Sequence, residues 1–400
     1  VAEEELSSFY VSCTLGFEEA VASEIREAWP LLIEITGQAN TAPLPEMVLE
    51  KGGVLVRAPL ALGLQLNFFL KTAHRVLLRL AEFKVRDFPR LFEKTQKIPW
   101  GNFLKTTEVE WQVAASKSRL NNEKRIEETC AEAFAKIANK IQGASKQKQS
   151  IYVRIHDDLC TISLDSSGEH LHKRGWGVQK GEAPLRETLA AFLICEMMGN
   201  ASTNKTQQVA FVDPMCGSGT LVLEAISLWQ PVFTREFSFL GWKNAPKIFK
   251  SPLLKKNYKL LPKQAPFKTY WGFDLNGEVL RAAEENLKSL EGNAEIENLK
   301  VRFEKENLFE GEKRTLGPVW CLTNPPYGER LHVQGQKEFS YQDLIQRMAD
   351  KFTAEKIGVL LPNKNIVKQL KPPEGYKKQK EIPFSNGGLE VLFLVFARKA

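Results

Sequence analysis

VAFVDPMCGSGTLVLEA, residues 209–225, is an apolar run that stops on Asp213, turns through two glycines and reopens as a helix at Thr220. Strand, glycine turn and helix in that order are the first half of a βαβ unit. Gly217 and Gly219 let the backbone approach a ligand, and the helix start presents free N–H groups to a carboxylate or phosphate. The spacing D-P-x-C-G-S-G-T is neither G-x-G-x-x-G nor a Walker A, because it has no G-K-[ST]. Phosphate binding therefore loses ground to a smaller zwitterionic ligand.

Working outward, the alternation repeats. A helix over Leu185–Met198 precedes strand VAFVD, helix TLVLEAISLW, strand TYWGFD, helix EVLRAAEENLKSL, strand LKVRF, strand VWCLTN, helix YQDLIQRMADKF and strand KIGVLL. Apolar strands alternating with helices predict an α/β fold with a parallel, doubly wound sheet. EIPFSNGGLEVLFLVFARK, residues 381–399, places two strand patterns around Asn386-Gly387-Gly388, so an antiparallel hairpin closes that sheet.

Upstream the pattern differs. FYVSC (9–13) reads as a strand, Phe17–Trp29 as a helix, Leu60–Leu70 and Phe88–Lys97 as helices flanking strand RVLLRLAEFKV, and VEWQVAASKS as a half-buried strand. Lys124–Ile141 reads as one long amphipathic helix, and SIYVRIHDDLCTISLDSS as two strands. A small α+β unit fills 1–66, a second domain spans 67–168, and the basic, glycine-rich HLHKRGWGVQKG (170–181) marks the boundary to the α/β domain over 169–400. Pro231–Lys268 interrupts the βα rhythm with aromatics and lysines, as a surface insertion or as a substrate contact.

Four hundred residues suit about two to three domains. The net charge of +7 favours a polyanionic partner such as nucleic acid. Cys13, Cys130, Cys160, Cys195, Cys216 and Cys321 stand singly with no C-x-x-C spacing, which argues against a zinc ribbon or disulfide framework and for a reduced, intracellular protein. VAEEELSSFY lacks the order of a signal peptide, and no apolar run approaches the roughly 18 residues of a membrane span, so the chain reads as cytosolic with no membrane partner.

Three further strand ends bear on the ligand. Asp274 closes TYWGFD, where an acid accepts hydrogen bonds from two ribose hydroxyls, unless it merely caps the helix from Asn276. Asn307, after the third strand, can offer its carboxamide to an adenine edge. VWCLTNPPYGERL (319–331) ends a buried strand on Asn324-Pro325-Pro326-Tyr327. An exocyclic amine is a poor nucleophile because its lone pair is delocalised into the ring. If the Asn324 oxygen and the Pro325 carbonyl accept its two hydrogens, the lone pair is localised, while Tyr327 stacks on the base.

These motifs resemble the class I S-adenosylmethionine-dependent methyltransferases that act on exocyclic amines, and more narrowly the THUMP-domain RNA guanine-N2 methyltransferases. DPMCGSGT is similar to their cofactor loop, GFD to their ribose acid, TNPPYGERL to their catalytic motif and HLHKRGWGVQKGEAPLRETLAA to their N-terminal cofactor motif. The resemblance extends to a ferredoxin-like start (1–66) and a THUMP RNA-binding region (67–168), ahead of a Rossmann-like methyltransferase domain. It implies S-adenosylmethionine as cofactor, held by Asp213, Pro214, Cys216, Gly217, Gly219 and Thr220, by Asp274 and Leu275, by Asn307 and Leu308, and by Leu185 and Thr188. Relatives often carry Asp where this chain has Asn307, which keeps an acceptor oxygen without the charge. The resemblance makes Asn324, Pro325, Pro326 and Tyr327 the catalytic set.

The implied reaction is in-line methyl transfer to the N2 amine of a guanine in structured RNA. In overall layout the bacterial 23S rRNA enzymes match best; similar tRNA enzymes share the motifs. The rivals are N6-adenine methylation of DNA and a non-catalytic RNA-binding assembly factor. Lys117, Arg119, Lys124 and Arg125 at one strand-to-helix loop, and Lys173 and Arg174 beside Trp176, are candidates to grip RNA phosphates. His170 and His172 lack an evident third ligand, so no metal is expected, and the enzyme is expected to be a monomer.

Overall fold

The apolar strands of the C-terminal half assemble as their alternation with helices requires. A computed structural model describes residues 6–36, 43–141, 147–176, 185–199, 206–252, 254, 258, 266–291, 299–326, 340–362, 369–386 and 388–399. The chain forms two compact units, one of 1–171 with 235–261 and the other of 172–234 with 262–400.

In the second unit, helix α5 (Glu187–Met198) precedes β8 (Ala210–Asp213), α6 (Thr220–Ser227), β9 (Thr269–Asp274), α7 (Gly277–Glu291), β10 (Val301–Lys305), β11 (Val319–Thr323), α8 (Tyr341–Phe352), β12 (Lys356–Leu361) and the hairpin β13 (Tyr376–Asn386) and β14 (Leu389–Arg398). The sheet order is β10-β9-β8-β11-β12-β14-β13. Strands β8 to β12 pair parallel, while β14 runs antiparallel to β12 and to β13. The expected parallel sheet closed by an antiparallel hairpin is therefore present.

Side chains alternate across the sheet because the strand period is two. Val319 and Cys321 face the α8 core with Leu344, Met348 and Phe352. Leu322 faces the other way, where a Cβ on Gly358 would meet its Cδ1 at 2.7 Å and the Met197 sulfur of α5 at 3.1 Å. Chain order reverses between β8 and β11, and ligands bind at the carboxyl edge beside such a reversal. Four parallel strands deliver Asp213, Asp274, Lys305 and Thr323 to that edge, with Val212 opposite Cys321, Asp213 opposite Gly272 and Asp274 opposite Lys305.

The first unit carries β1 (Leu6–Ser12), α1 (Glu18–Thr36), β2 (Glu46–Glu50), β3 (Gly53–Pro59), α2 (Leu60–Phe69), β4 (Arg75–Lys84), α3 (Phe88–Gln96), β5 (Val109–Ser116), α4 (Glu123–Ala135), β6 (Gln149–His156) and β7 (Leu159–Asp165). Their single sheet is ordered β2-β3-β1-β4-β7-β6-β5. A boundary at 66/67 would cut α2 and separate β1 from β4, which pair from Phe9 opposite Leu78 to Ser12 opposite Arg75; the two expected N-terminal domains are one compact unit. The expected helix at Phe17–Trp29 runs on through Pro30, and the one at Lys124–Ile141 stops at Ala135 because Ile137 leaves the helical region (φ −113, ψ 1).

Residues 235–261 were expected inside the catalytic domain and belong instead to the first unit. The physical reason is a hydrophobic anchor. Phe237, Phe239 and Trp242 are fully buried, Trp242 Nε1 and the Ser238 hydroxyl each donate to Gln149 Oε1 at 2.8 Å, and Lys243 N–H donates to the Phe103 carbonyl at 2.8 Å. Arg235 donates to the carbonyls of Ser167, Glu169 and His170 at 3.1, 2.7 and 2.6 Å. Trp242→Ala is expected to cost about 3–5 kcal/mol in urea unfolding; a loss below about 1 kcal/mol would remove this segment from the core. Among the described residues, no helix is long and apolar enough to cross a membrane.

Candidate functional site

The loop after β8 is held from three sides. Met215 N–H donates to Asp213 Oδ1 at 3.1 Å, Cys216 N–H to the Phe273 carbonyl at 2.8 Å and Gly219 N–H to the Cys216 carbonyl at 2.9 Å; Asn286 Nδ2 donates to the Ser218 carbonyl at 3.2 Å. Both loop glycines are left-handed, Gly217 at φ +52 and Gly219 at φ +87, yet their surroundings differ. A Cβ on Gly219 would meet Ala283 at 3.1 Å and Phe303 at 3.2 Å, so this glycine serves packing. A Cβ on Gly217 would meet nothing within 4 Å, which leaves the loop backbone open to a ligand. Pro214 and Cys216 are buried beneath the loop, and Thr220 is half-buried at the first turn of α6.

Asp274 ties this loop to the next strand end. Its Oδ2 accepts from Gly217 N–H and its Oδ1 from Asn276 N–H, both at 2.9 Å. The cap of α7 is Asn276, whose Oδ1 accepts from Glu278 N–H at 2.9 Å, so Asp274 is not the helix cap. A carboxylate with two bonds in place retains lone pairs for two hydroxyl donors. Leu275 is half-buried beside it.

Burial pushes the Asp213 carboxyl up to about 7, against the Met215 N–H that holds it down; nearby Asp274 adds to the rise. A cation brought to this edge restores the charged form. An open glycine backbone, a strand-end acid with lone pairs to spare and a buried acid favoured by positive charge together fit a nucleoside that carries a cationic amino-acid arm.

Beyond β10, Asn307 Oδ1 accepts from Phe309 N–H at 3.0 Å, which leaves its NH₂ and a second lone pair for a base edge. Leu308 departs from the expectation. Its side chain is 4% exposed and joins the α8 core, so only its backbone can face a ligand. Thr188 and Leu185 are likewise buried, at the first turn of α5 and just ahead of it.

At the end of β11, Thr323 is buried, Asn324 half-buried, Pro325 buried and Pro326 half-buried. Tyr327 lies outside the described residues. Asn324 and Pro325 therefore stand at the switch point, one strand from the Asp213 loop and on the same edge.

The cations divide. Lys117, Arg119, Lys124 and Arg125 are all exposed around the turn from β5 to α4. Asp158 organises that turn, accepting from Arg119 N–H and from Arg86 Nε at 2.8 Å each, and these two donors hold its carboxyl below the usual range. Arg86 thus joins the cluster, a neighbour that its position in the sequence did not reveal. Lys173 is exposed, but Arg174 is not an RNA ligand. Its side chain is 0% exposed and paired with Glu224, 1% exposed, at 3.3 Å, and Trp176 is buried too. Arg174→Met is expected to cost about 3–5 kcal/mol by leaving a buried carboxylate unpaired, and Arg174→Met with Glu224→Met to recover most of it. Equal stability of the single and double variants in urea would contradict this. Among the described residues, no three His, Cys, Asp or Glu cluster as metal ligands.

Residues 174–389 match the family profile described as the RMKL-like methyltransferase domain. The ribosomal RNA large subunit methyltransferase K/L of Cellvibrio japonicus is 27% identical over 409 residues, 98% of this chain and 51% of its own length. This chain therefore spans about half of that relative. The YpsC protein of Bacillus subtilis is 29% identical over 346 residues, 83% of this chain and 82% of its own. Among solved structures, a possible methylase from Clostridium difficile 630 superposes with a TM-score of 0.76 at 24% identity, covering 99% of both chains.

Proposed function

The chain belongs to the family of RMKL-like methyltransferase domains, and we propose that it transfers a methyl group from S-adenosylmethionine to the N2 amine of a guanine in structured RNA, with 23S rRNA as the favoured substrate. The observation that carries this reading is the meeting of three groups on adjacent strand ends: the open Gly217 loop, Asp274 and Asn324-Pro325.

When bound, S-adenosylmethionine supplies a methyl group on a sulfonium that departs as a neutral thioether, and the product nitrogen releases one proton to water. The residues do the rest by placement. Asp274 accepts the ribose hydroxyls, the Gly217 backbone admits the amino-acid arm and Asn307 meets the base. The Asn324 oxygen and the Pro325 carbonyl accept the two amine hydrogens of the target guanine and aim its lone pair. Proline suits the second and third positions because the first ring fixes φ at Pro325 and the second restricts its ψ, which together limit the direction of its carbonyl. No strong base is needed, since the amine becomes acidic only once methylated. Orientation supplies most of the acceleration.

In the first unit, Lys117, Arg119, Lys124, Arg125 and Arg86 would grip phosphates and leave sequence to the clamp, in the manner of a THUMP module acting in the cytosol. The test is transfer of labelled methyl to unmodified 23S rRNA, 16S rRNA, tRNA and DNA in parallel, with nucleoside mass spectrometry. N2-methylguanosine in 23S rRNA is the expected product. The same nucleoside in tRNA would move the substrate, and N6-methyladenine or no product would overturn the function.

A further inference from the structure

Helix α8 carries two cations whose partners all lie in one loop. Lys351 is 1% exposed, and its ammonium donates to the carbonyls of Asn307 at 3.0 Å, Leu308 at 3.4 Å and Glu310 at 2.6 Å and pairs with Glu306 at 2.5 Å. One turn earlier, Arg347 donates Nε to the Leu308 carbonyl at 2.9 Å and Nη2 to those of Glu310 at 3.2 Å and Gly311 at 2.8 Å. Arg314 closes the far side. Its Nη2 pairs with Glu304 at 2.8 Å and with Glu306, and its backbone N–H donates to the Lys351 carbonyl at 2.8 Å.

The packing of α8 does not ask for a charge at 351. Leu344, Met348 and Phe352 already form its apolar face, and position 351, two turns after Leu344, continues that face. Burying an ammonium is costly unless its protons are used, and here they are. The cation is thus matched to the loop.

The loop's geometry follows. The peptide is planar and trans, so a carbonyl turned into α8 sends the next N–H the opposite way. With the Asn307 and Glu310 carbonyls on Lys351, the N–H groups of Leu308 and Gly311 point away from the helix; that of Phe309 is taken by Asn307 Oδ1. The loop also begins against the ribose acid, because Glu306 N–H donates to the Asp274 carbonyl at 3.1 Å.

We propose that Lys351 and Arg347 are positioning residues for the methyl donor. By turning four carbonyls of the 307–311 loop into α8, they leave N–H groups to meet the ring-nitrogen acceptors of the adenine and the Asn307 carboxamide to meet its edge. This deepens the functional reading above and rests on it.

The test combines calorimetry with S-adenosylhomocysteine and steady-state kinetics. Arg347→Met is expected to raise Kd and the KM for S-adenosylmethionine about tenfold, the loss of a charge-assisted hydrogen bond, with the KM for RNA and kcat at saturating donor within about twofold. Lys351→Met should raise both further, and if it does not fold, the half-buried Arg347→Met decides. Ala349→Gly, on the same helix, serves as a variant that lowers Tm while keeping every Arg347 and Lys351 donor to the loop. Wild-type affinity in Arg347→Met, or an equal rise in KM in Ala349→Gly, would overturn the proposal. A wild-type protein that binds no S-adenosylhomocysteine would instead overturn the placement of the donor site.

Discussion

Asn324→Ala is expected to lower methyl transfer by about a thousandfold while the Kd for S-adenosylhomocysteine stays within about threefold. The asymmetry follows from where Asn324 stands. It ends β11, on one side of β8, whereas the Asp274 end of β9 lies on the other. In the proposed reaction, removing the carboxamide takes away one of two acceptors that localise the amine lone pair, a contact made to the reacting nitrogen. The ties that hold Asp274 involve other groups, because it is the Gly217 and Asn276 N–H groups that reach it. Labelled-methyl transfer on RNA gives the first quantity and calorimetry the second. Turnover near wild-type would show that Asn324 is an ordinary strand-end residue, and a parallel loss of cofactor binding would place it on the donor side.

Asp274→Ala reverses the pattern. In the proposed donor site two ribose hydroxyls lose a charged acceptor, each bond worth about 1.5–3 kcal/mol, so the Kd for S-adenosylhomocysteine is expected to rise about a hundredfold or more. A second effect adds to it, since Gly217 N–H loses its partner and the loop its tie to β9. Asp274→Asn is no rescue. Its carboxamide turns a donor towards one of two N–H groups that both need an acceptor. Calorimetry reads both variants, and an unchanged Kd in Asp274→Ala would remove Asp274 from the donor site.

The half that matches the methyltransferase family was legible because its signals are local. Strand VAFVD, the turn through Gly217 and Gly219, and hairpin Asn386-Gly387-Gly388 declare themselves within a few residues through side-chain periodicity and backbone freedom. Asp274 was readable as a strand-end acid, though Asn276, two residues on, turned out to cap α7. Lys351 was hidden in plain sight. A lysine two turns after Leu344 on an apolar face is the signal that could have found it.

What the chain by itself determined is the order of elements, the parallel sheet with its antiparallel closure, and the arrival of Asp213, Asp274 and Asn324 at strand ends. These rest on local periodicity and turn chemistry, and a parallel sheet then collects its carboxyl ends on one edge. Tertiary structure alone decided which cations face solvent and which segment completes which core. Arg174 reads like Lys173 until Glu224, fifty residues on, is found against it inside the fold. Residues 235–261 join the first unit because Trp242 finds Gln149 across ninety-three residues of chain. Burial and pairing are set by contacts between residues far apart in the chain, and no window of sequence contains both partners.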